Sequence, residues 1–388
     1  MKIQIEANDL SEAISWVTKD YDEKAHSFVI LTVNKNGKGS LAHRSIPSFL
    51  KQDLNFYSVK LEVSEGEETV ITLDGAQLRR INTILQNAKM VDLTFKDGAT
   101  AVVGKTSFGK FTIPVIALKK NDKIYQLPEL VELGEVDGIE WFDTLTKIGK
   151  IASPETAGNT PSVGAVHIRL QRDGNGTVAA TDRFVIAESF VKYTQNANVS
   201  EDDLLGEDEI ILLPKNAALR VSPLKDSVPV TLIYDAKGKA FGYRFVDGRL
   251  GLFQLLEASP MPYAKIKNNF APEGSVTLNK DEFIRNVSYV ANLSPAEEAS
   301  YFTLNDNTMT IKDSFGTNSF SLAVEGFEGE ELEVSFLRAV LTKSYSPLTT
   351  SKIKLSWSAG EKVWLMNPIL DDGSEDSTWV IVVSYQGK

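Results

Sequence analysis

Residues 177–190 read Thr-Val-Ala-Ala-Thr-Asp-Arg-Phe-Val-Ile-Ala-Glu-Ser-Phe, two apolar runs on either side of a polar Thr181-Asp182-Arg183 corner. Just before them, residues 164–170 alternate between apolar and polar side chains, and residues 173–176 (Asp-Gly-Asn-Gly) are typical of a hairpin turn. The stretch therefore predicts a β-hairpin followed by a polar corner that interrupts the hydrogen-bond ladder.

The composition is that of a soluble globular protein with two to four domains. Of the 388 residues, 42% are hydrophobic and 24% charged, and the formal net charge is −11. The absence of cysteine excludes disulfides and thiolate metal sites and favours the cytoplasm. No apolar stretch is long enough to span a bilayer, and the N-terminus has no apolar signal core, so neither a membrane location nor secretion is predicted.

Each third of the chain contains two amphipathic segments separated by strand-like alternation. Their apolar residues recur with helical spacing, as in Leu10, Ile14 and Val17. The six predicted helix windows are 8–20, 74–88, 138–152, 214–226, 279–292 and 335–346. Residues 118–130 and 259–273 are polar or rich in proline and are interpreted as linkers. We therefore predict an α+β fold of three similar domains, 1–128, 129–258 and 259–388, each with β-sheets and two α-helices.

Two strings carry a resemblance to a known family. Ala180-Thr-Asp-Arg-Phe-Val-Ile-Ala187 resembles the middle domain of the bacterial β-type DNA sliding clamp, the β subunit of DNA polymerase III. Phe245-Val-Asp-Gly-Arg-Leu-Gly-Leu-Phe-Gln-Leu-Leu256 resembles that family's Val-Asp-Gly-(Arg/Lys)-Phe-Pro-Asp-Tyr stretch. The resemblance implies three domains per subunit, helices inside and sheets outside, and a head-to-tail homodimeric ring. It implies a processivity factor without catalysis or cofactor.

The resemblance also implies an apolar groove between the second and third domains, in which the polymerase and the clamp loader insert a short peptide. An extended peptide with a few apolar anchors would fill such a groove. The implied lining residues are Val163, Thr181, Arg183, Phe184, Ile186, Gly251, Leu255, Leu256, Val383, Ser384 and Tyr385.

For the subunit interface, the family pattern points to Phe108 in the first domain and Leu293 in the third. Strand edges of the two domains would pair across the chains there.

The six helix windows hold more basic than acidic residues although the whole chain is acidic. Helices that line a ring would present these bases to the phosphates of double-stranded DNA, without reading its sequence. The candidate DNA-binding residues are Arg79, Arg80, Lys147, Lys150, Lys215, Arg220, Lys225, Arg285, Arg338 and Lys343. The alternative for each of them is an ordinary solvated surface charge.

Three features depart from the family pattern. Val185 replaces the usual arginine, Gly251 replaces the usual proline, and the terminal residues 382–388 read Val-Val-Ser-Tyr-Gln-Gly-Lys instead of the Met-Pro-Met-Arg-Leu type. They indicate a divergent member, encoded by a bacterium or a bacteriophage, and leave the bound peptide open.

Enzymatic readings have little support. None of the three histidines has a metal-binding partner at ligand spacing, and Gly104-Lys-Thr106 lacks the glycine that a phosphate loop requires at position 99. The acidic residues 371–376 lack EF-hand spacing. We expect neither a metal nor another cofactor. The alternatives are a β-rich structural protein, such as a virion or carbohydrate-binding component, and a carboxylate-based hydrolase.

Overall fold

The computed structural model describes residues 2–19, 28–34, 36–45, 55–63, 68–96, 98–118, 127–153, 160–199, 209–220, 226–295, 297–305, 307–358 and 363–383. The helices in this part of the chain are α1 (Ala7–Val17), α2 (Gly75–Leu85), α3 (Gly138–Gly149), α4 (Lys215–Ala218), α5 (Tyr263–Asn268), α6 (Lys280–Leu293) and α7 (Arg338–Ser344), with a 3-10 turn at Pro161–Gly164.

The strands of the first 150 residues are β1 (Lys2–Glu6), β2 (Val29–Val33), β3 (Lys38–Ser45), β4 (Asn55–Glu62), β5 (Thr69–Leu73), β6 (Met90–Thr94), β7 (Ala101–Thr106), β8 (Gly109–Pro114) and β9 (Val131–Asp137). Those up to residue 254 are β10 (Ala165–Leu170), β11 (Asn175–Thr181), β12 (Val185–Lys192), β13 (Thr194–Gln195), β14 (Ile211–Pro214), β15 (Pro229–Asp235), β16 (Ala240–Phe245) and β17 (Leu250–Gln254). The remainder are β18 (Gly274–Asn279), β19 (Ala299–Asn305), β20 (Thr308–Lys312), β21 (Ser319–Glu328), β22 (Leu332–Leu337), β23 (Lys352–Ser358), β24 (Val363–Ile369) and β25 (Trp379–Val383).

The element order repeats three times. Each repeat runs strand, helix, four strands, helix, three strands; they begin at β1, β9 and β18, with the two-residue β13 as an addition in the second. The pairing repeats as well, because β2 lies between β3 and β5, β10 between β11 and β14, and β19 between β20 and β22. The predicted threefold α+β repeat is therefore confirmed.

The chain packs into two compact units, of which unit 1 comprises Met1–Val136, Asn196–Leu204 and Val228–Gln254. It contains a four-stranded sheet, β1-β6-β7-β8, and the sheet order β9-β15-β16-β17-β4-β3-β2-β5. Trp16 of α1 links two strands of the second sheet where the first and second repeats meet. Its Nε1 donates to the carbonyl oxygens of Ser58 and Leu250, both at 3.1 Å. These two residues face each other in the β4–β17 pair.

Unit 2 comprises Asp137–Gln195, Leu205–Ser227 and Leu255–Lys388. Twelve of its strands form one sheet in the order β14-β10-β11-β12-β25-β24-β23-β18-β21-β20-β19-β22. The second and third repeats join here through β12 and β25, as the first and second join through β4 and β17. Because a strand pair crosses each junction, the predicted middle domain contributes to both units. The boundaries after residues 128 and 258 stay predictions.

The first helix of each repeat begins after a strand that ends in a polar or acidic residue. The side chains of Asp137 and Asn279 accept hydrogen bonds from the amides of Glu140 and Glu282, and so cap α3 and α6. All six predicted windows contain a helix, although α4 is only one turn long in the described residues. Helix α5 lies in residues 259–273, for which we predicted only a linker.

Candidate functional site

The corner after β11 is held by side chain to backbone hydrogen bonds. Thr181 Oγ1 donates to the carbonyl oxygen of Val185 at 2.7 Å and accepts from the amide of Arg183 at 3.0 Å. Asp182 Oδ1 accepts from the amides of Phe184 and Val185 at 3.0 and 2.9 Å. Arg183 has a φ of 86°, in the left-handed region that most side chains avoid. Thr181 and Asp182 therefore shape the corner and leave little of themselves exposed.

The C-terminal strand lies beside this corner. Ile186 faces Ile381 in the β12–β25 pair, and the amide of Val383 donates to the carbonyl oxygen of Phe184 at 2.8 Å. Ile186, Ile381, Ala179, Tyr263 and Trp379 form one buried cluster. This pairing brings together, within unit 2, predicted groove residues from the middle and from the C-terminal part of the sequence.

The predicted groove residues differ in solvent exposure. Phe184 is 51% exposed, and Arg183 is also exposed. Leu255, Leu256 and Val383 are half-buried, and the Leu256 amide donates to Leu212 O at 2.9 Å.

Three further predicted groove residues, Val163, Thr181 and Ile186, are buried. Gly251 lies in β17 of unit 1, opposite Tyr57 and Tyr243. Ser384 and Tyr385 lie outside the described residues.

Several predicted DNA-binding bases already have partners in unit 2. Lys343 Nζ lies 2.5 Å from Asp182 Oδ2, and Lys147 pairs with Asp143. Lys215 Nζ donates to the carbonyl oxygen of Ala152. Their charges are partly satisfied within the protein.

The guanidinium of Arg338 donates to the carbonyl oxygen of Ala291 at 3.1 Å and to Asn292 Oδ1 at 3.4 Å. The Nη2 atom of Arg285 lies 3.9 Å from the Oε1 atom of Glu282 on the same helix. The remaining predicted bases differ in exposure: Arg79, Arg80 and Lys150 are exposed, Arg220 is half-buried, and Lys225 lies outside the described residues.

The two predicted interface residues are both exposed apolar side chains. Phe108 is 68% exposed in the turn before β8, which is an edge strand of its sheet, and Leu293 is 46% exposed at the end of α6. On the same helix, Tyr289 stacks on Phe320 of β21 with ring centroids 5.4 Å apart.

The sequence analysis missed α5 and the charges that it carries. Tyr263 is buried, while Lys265 is exposed and Lys267 lies over the ring of Trp379 at 5.2 Å. The three-residue spacing of Tyr263 and Ile266 was the available signal, and the two prolines in front of it concealed the helix.

Among the described residues, no three histidines, aspartates or glutamates lie close enough together to hold a metal ion. Gly104-Lys-Thr106 lies within β7 and not before a helix, unlike a phosphate loop. Within the same ranges, every helix is too short or too polar to cross a membrane.

The chain resembles β sliding clamps over its full length. It is 23% identical to the β sliding clamp of Streptomyces coelicolor over 390 residues, which covers 97% of each chain. Its structure matches the DNA polymerase III subunit β of Pseudomonas aeruginosa with a TM-score of 0.81 at 12% identity, and the Helicobacter pylori β clamp bound to a DNA ligase peptide with 0.75 at 17%. Both matches cover 100% of both chains. No family model matches the chain. The fold is therefore the DNA clamp fold, and the resemblance predicted from the two strings is confirmed.

Proposed function

We propose that the protein is a DNA sliding clamp, a homodimeric ring that encircles duplex DNA and tethers a DNA polymerase. It has no catalytic role in this proposal and acts where DNA is replicated, in the cytoplasm. The observation that carries the proposal is the way in which one repeat is joined to the next.

The last strand of the second repeat, β17, pairs with β4 of the first, and the last strand of the third, β25, pairs with β12 of the second. Among the described strands, the last strand of the first repeat, β8, pairs with β7 alone. The position in the third repeat that corresponds to β4 and β12 is β21. Its residues Ser319–Ala323 pair with β20 along one edge, and β18 joins it only from Val324 onward.

The third junction of the same kind would therefore pair β8 of one protomer with β21 of another. A head-to-tail contact of this kind is made twice in a closed dimer and covers the free edges of β8 and β21. Apolar side chains near both strands support the proposal. Phe108 adjoins β8, Phe320 of β21 stacks on the exposed Tyr289 of α6, and the exposed Leu293 ends the same helix.

Topological retention explains how an acidic protein can hold DNA. A closed ring needs only weak phosphate contacts, and weak contacts without base recognition permit sliding. We assign these contacts first to the exposed Arg79, Arg80 and Lys150. The half-buried Lys147 and Lys343 contribute less because they present less of their side chains to DNA.

The groove beside the Thr181–Val185 corner is proposed to bind short linear peptides of the polymerase and the clamp loader. The Helicobacter pylori relative has been solved with such a peptide, from DNA ligase. In this chain the exposed ring of Phe184 and the half-buried Leu255, Leu256 and Val383 offer an apolar surface next to the Ile186–Ile381 pair.

Two measurements test the function together. Light scattering should give twice the chain mass, and the protein, once loaded, should remain on circular DNA but leave linear DNA by its ends. The variant Phe320→Asp, which places a charge in the proposed interface, should give monomers and lose this difference. The variant Val246→Asp alters an exposed apolar residue in the turn between β16 and β17 and serves as the control. Equal retention on circular and linear DNA would exclude the ring.

The groove is tested separately. Leu256→Asp should abolish stimulation of the polymerase while the dimer and its retention on circular DNA persist. Unchanged stimulation would remove Leu256 from the groove.

A further inference from the structure

Tyr289 of α6 is an exposed aromatic residue at a position that is buried in the first repeat. Trp16 lies nine residues after Ala7, where α1 begins, and Tyr289 lies nine residues after Lys280, where α6 begins. Both helices directly follow the first strand of their repeat. The buried apolar residues agree with this alignment and are Leu10, Ile14 and Val17 in α1, and Phe283, Val287 and Val290 in α6. Trp16 is 7% exposed, whereas Tyr289 is 47% exposed.

In unit 1, Trp16 lies across the pair formed by β4 and β17, where the second repeat joins the first. Its Nε1 donates to the carbonyl oxygens of Ser58 and Leu250, which face each other in that pair. Its ring meets those of Tyr57 and Phe245 edge to face, with centroids 5.6 and 5.5 Å apart. Trp16 is therefore buried by strands of both repeats.

In unit 2, Tyr289 has contacts of this kind with its own repeat. Its ring stacks on Phe320 of β21, the strand that corresponds to β4, with centroids 5.4 Å apart. Within the described residues, no strand pairs with Ser319–Ala323 on the side away from β20. The exposed ring of Tyr289 thus adjoins an uncovered strand edge, at the place where unit 1 has a completed junction between two repeats.

The strand registers identify the residues of β21 and β8 that would meet in a third junction. Counted through the paired strands from the start of the second helix of each repeat, one position is shared by Ser58, Glu188 and Ser319. Counted through the last three strands of each repeat, another is shared by Leu250, Trp379 and Lys110. The first two members of each set face each other in β4–β17 and in β12–β25. Ser319 is therefore expected to face Lys110 of another protomer.

In this register, the side chains of the two strands are complementary in size. On the face covered by α6, Phe320 is opposite the partner subunit's Gly109, which has no side chain that could displace the stacked ring of Tyr289. On the other face, the partner subunit's Phe108 is opposite Ser321, which is small and exposed. The exposed ring of Phe108 therefore has room on β21.

We propose that Tyr289 closes the interface between two protomers in the way that Trp16 closes the junction within one. Its ring packs over the partner subunit's strand β8 beside Phe320. Its hydroxyl donates to the carbonyl oxygen of the partner subunit's Lys110, the equivalent of Leu250. This role of Tyr289 rests on the proposed ring, and the occupant of the surface is a second copy of this chain.

The register is tested by engineered disulfides, for which a chain without cysteine is well suited. Lys110→Cys combined with Ser319→Cys places two thiols on directly opposite residues, whose Cα atoms lie about 5 Å apart in an antiparallel pair, within disulfide range. Mild oxidation should convert most of the protein into a covalent dimer on a non-reducing gel. Lys110→Cys combined with Ser321→Cys is the matched control. Its thiols lie on diagonal neighbours about 7–8 Å apart and should cross-link far more slowly.

The role of Tyr289 is tested by sedimentation equilibrium of the full-length protein. Tyr289→Phe keeps the ring and removes one hydrogen bond, which changes a binding constant about fivefold. Because a closed dimer makes the contact twice, the dimer Kd should rise about 25-fold. Tyr289→Ala should raise it at least about a hundredfold, since the packing of the ring is lost as well. Tyr301→Phe and Tyr301→Ala alter an exposed tyrosine of β19 in the same unit, and should leave the dimer Kd within about twofold of the wild type.

Each outcome supports or overturns the proposal. A wild-type dimer in which the control pair cross-links as fast as the Lys110–Ser319 pair has a different register and overturns it. So does a wild-type dimer in which Tyr289→Ala raises the dimer Kd no more than Tyr301→Ala, and an unchanged Kd for Tyr289→Phe removes the assigned hydrogen bond. A wild-type protein that stays monomeric would refute the proposed ring as well, so the two failures are distinguishable.

Discussion

The two large sheets of this protein share the same order of equivalent strands, but they differ in the residues that line one face. Unit 1 runs β9-β15-β16-β17-β4-β3-β2-β5, and part of unit 2 runs β18-β23-β24-β25-β12-β11-β10-β14, with equivalent elements in equivalent places. On one face, unit 1 has a cavity of about 930 Å³, whereas the cavity on the equivalent face of unit 2 measures about 450 Å³ and is lined in part by α5.

The comparison distinguishes residues that maintain the fold in both units from residues that are specific to one unit. Phe56 with Leu252 in unit 1, and Ile186 with Ile381 in unit 2, are equivalent apolar pairs across the junction of two repeats. They keep the sheets continuous. His167 and Glu188 of unit 2 correspond to Ile30 and Ser58 of unit 1, so these two ionisable residues are additions to a common frame.

The strongest test of this comparison removes the anchor of α5. Tyr263→Ala should cost about 4 kcal/mol of unfolding free energy, because a buried aromatic ring is lost. Leu127→Ala, at the rim of the unit 1 cavity and 41% exposed, should cost less than about 1 kcal/mol. Urea unfolding curves measure both. Equal losses of unfolding free energy for the two variants would show that the two faces do not differ in this respect.

The corner of unit 2 is the next target. Asp182→Ala removes two backbone hydrogen bonds and the partner of Lys343, and should cost about 3 kcal/mol. Thermal and urea unfolding give the value. Asp173→Ala, in the exposed hairpin turn of the same sheet, is the control and should change stability far less. A small effect of Asp182→Ala would mean that the backbone alone holds the corner.

Acid should act on unit 2 through His167. Its pKa is about 4 in the folded protein and near 6.5 when unfolded, so below pH 6.5 the unfolded chain takes up the proton first and stability falls. Replacement by the unit 1 residue, His167→Ile, should reduce the loss between pH 7 and pH 5 by about 2 kcal/mol.

Urea midpoints at the two pH values check this prediction. The raised pKa of Glu188 acts in the opposite direction but is present in both proteins. Ile168→Val, on the same strand, should lower stability without changing the pH slope. Parallel curves for the wild type and His167→Ile would refute the assignment.

The smallest expected effect concerns DNA. Arg79→Gln with Arg80→Gln should lower the slope of log K against log salt by about 2, because two exposed charges no longer displace counterions. Lys147→Gln with Lys215→Gln should change it by less, since both of these side chains are half-buried. Titration of a short linear duplex at several salt concentrations distinguishes them. Equal slopes for the two double variants would mean that exposure does not determine which bases contact DNA.

Much of the fold could be predicted because its signals are local. Alternation along residues 164–190 and the helical stripes of the six windows are visible within a few residues. The resemblance predicted that the hairpin lies beside the C-terminal strand and beside the string 245–256. The structure pairs β12 with the C-terminal strand β25, whereas residues 245–254 belong to unit 1.

The remainder could not be predicted because it depends on contacts between distant residues. Nothing near Lys343 indicates that it pairs with Asp182, 161 positions away. Likewise Gly251 belongs to a strand that pairs with residues of the first repeat, so its neighbours are Tyr57 and Tyr243. Helix α5 is short and follows two prolines, which hide its periodicity.

Because β8 has an open edge, the proposed interface does not by itself determine the number of protomers in the assembly. The second and third repeats each pair their last strand with the preceding repeat. In the proposed ring the first repeat does the same with another protomer, so every added copy presents the same two edges as the first. The number of copies at which growth stops is then a matter of curvature per repeat. A substitution that changed the twist at one junction would alter the size of the assembly, or turn it into an open filament, without touching any residue of the interface.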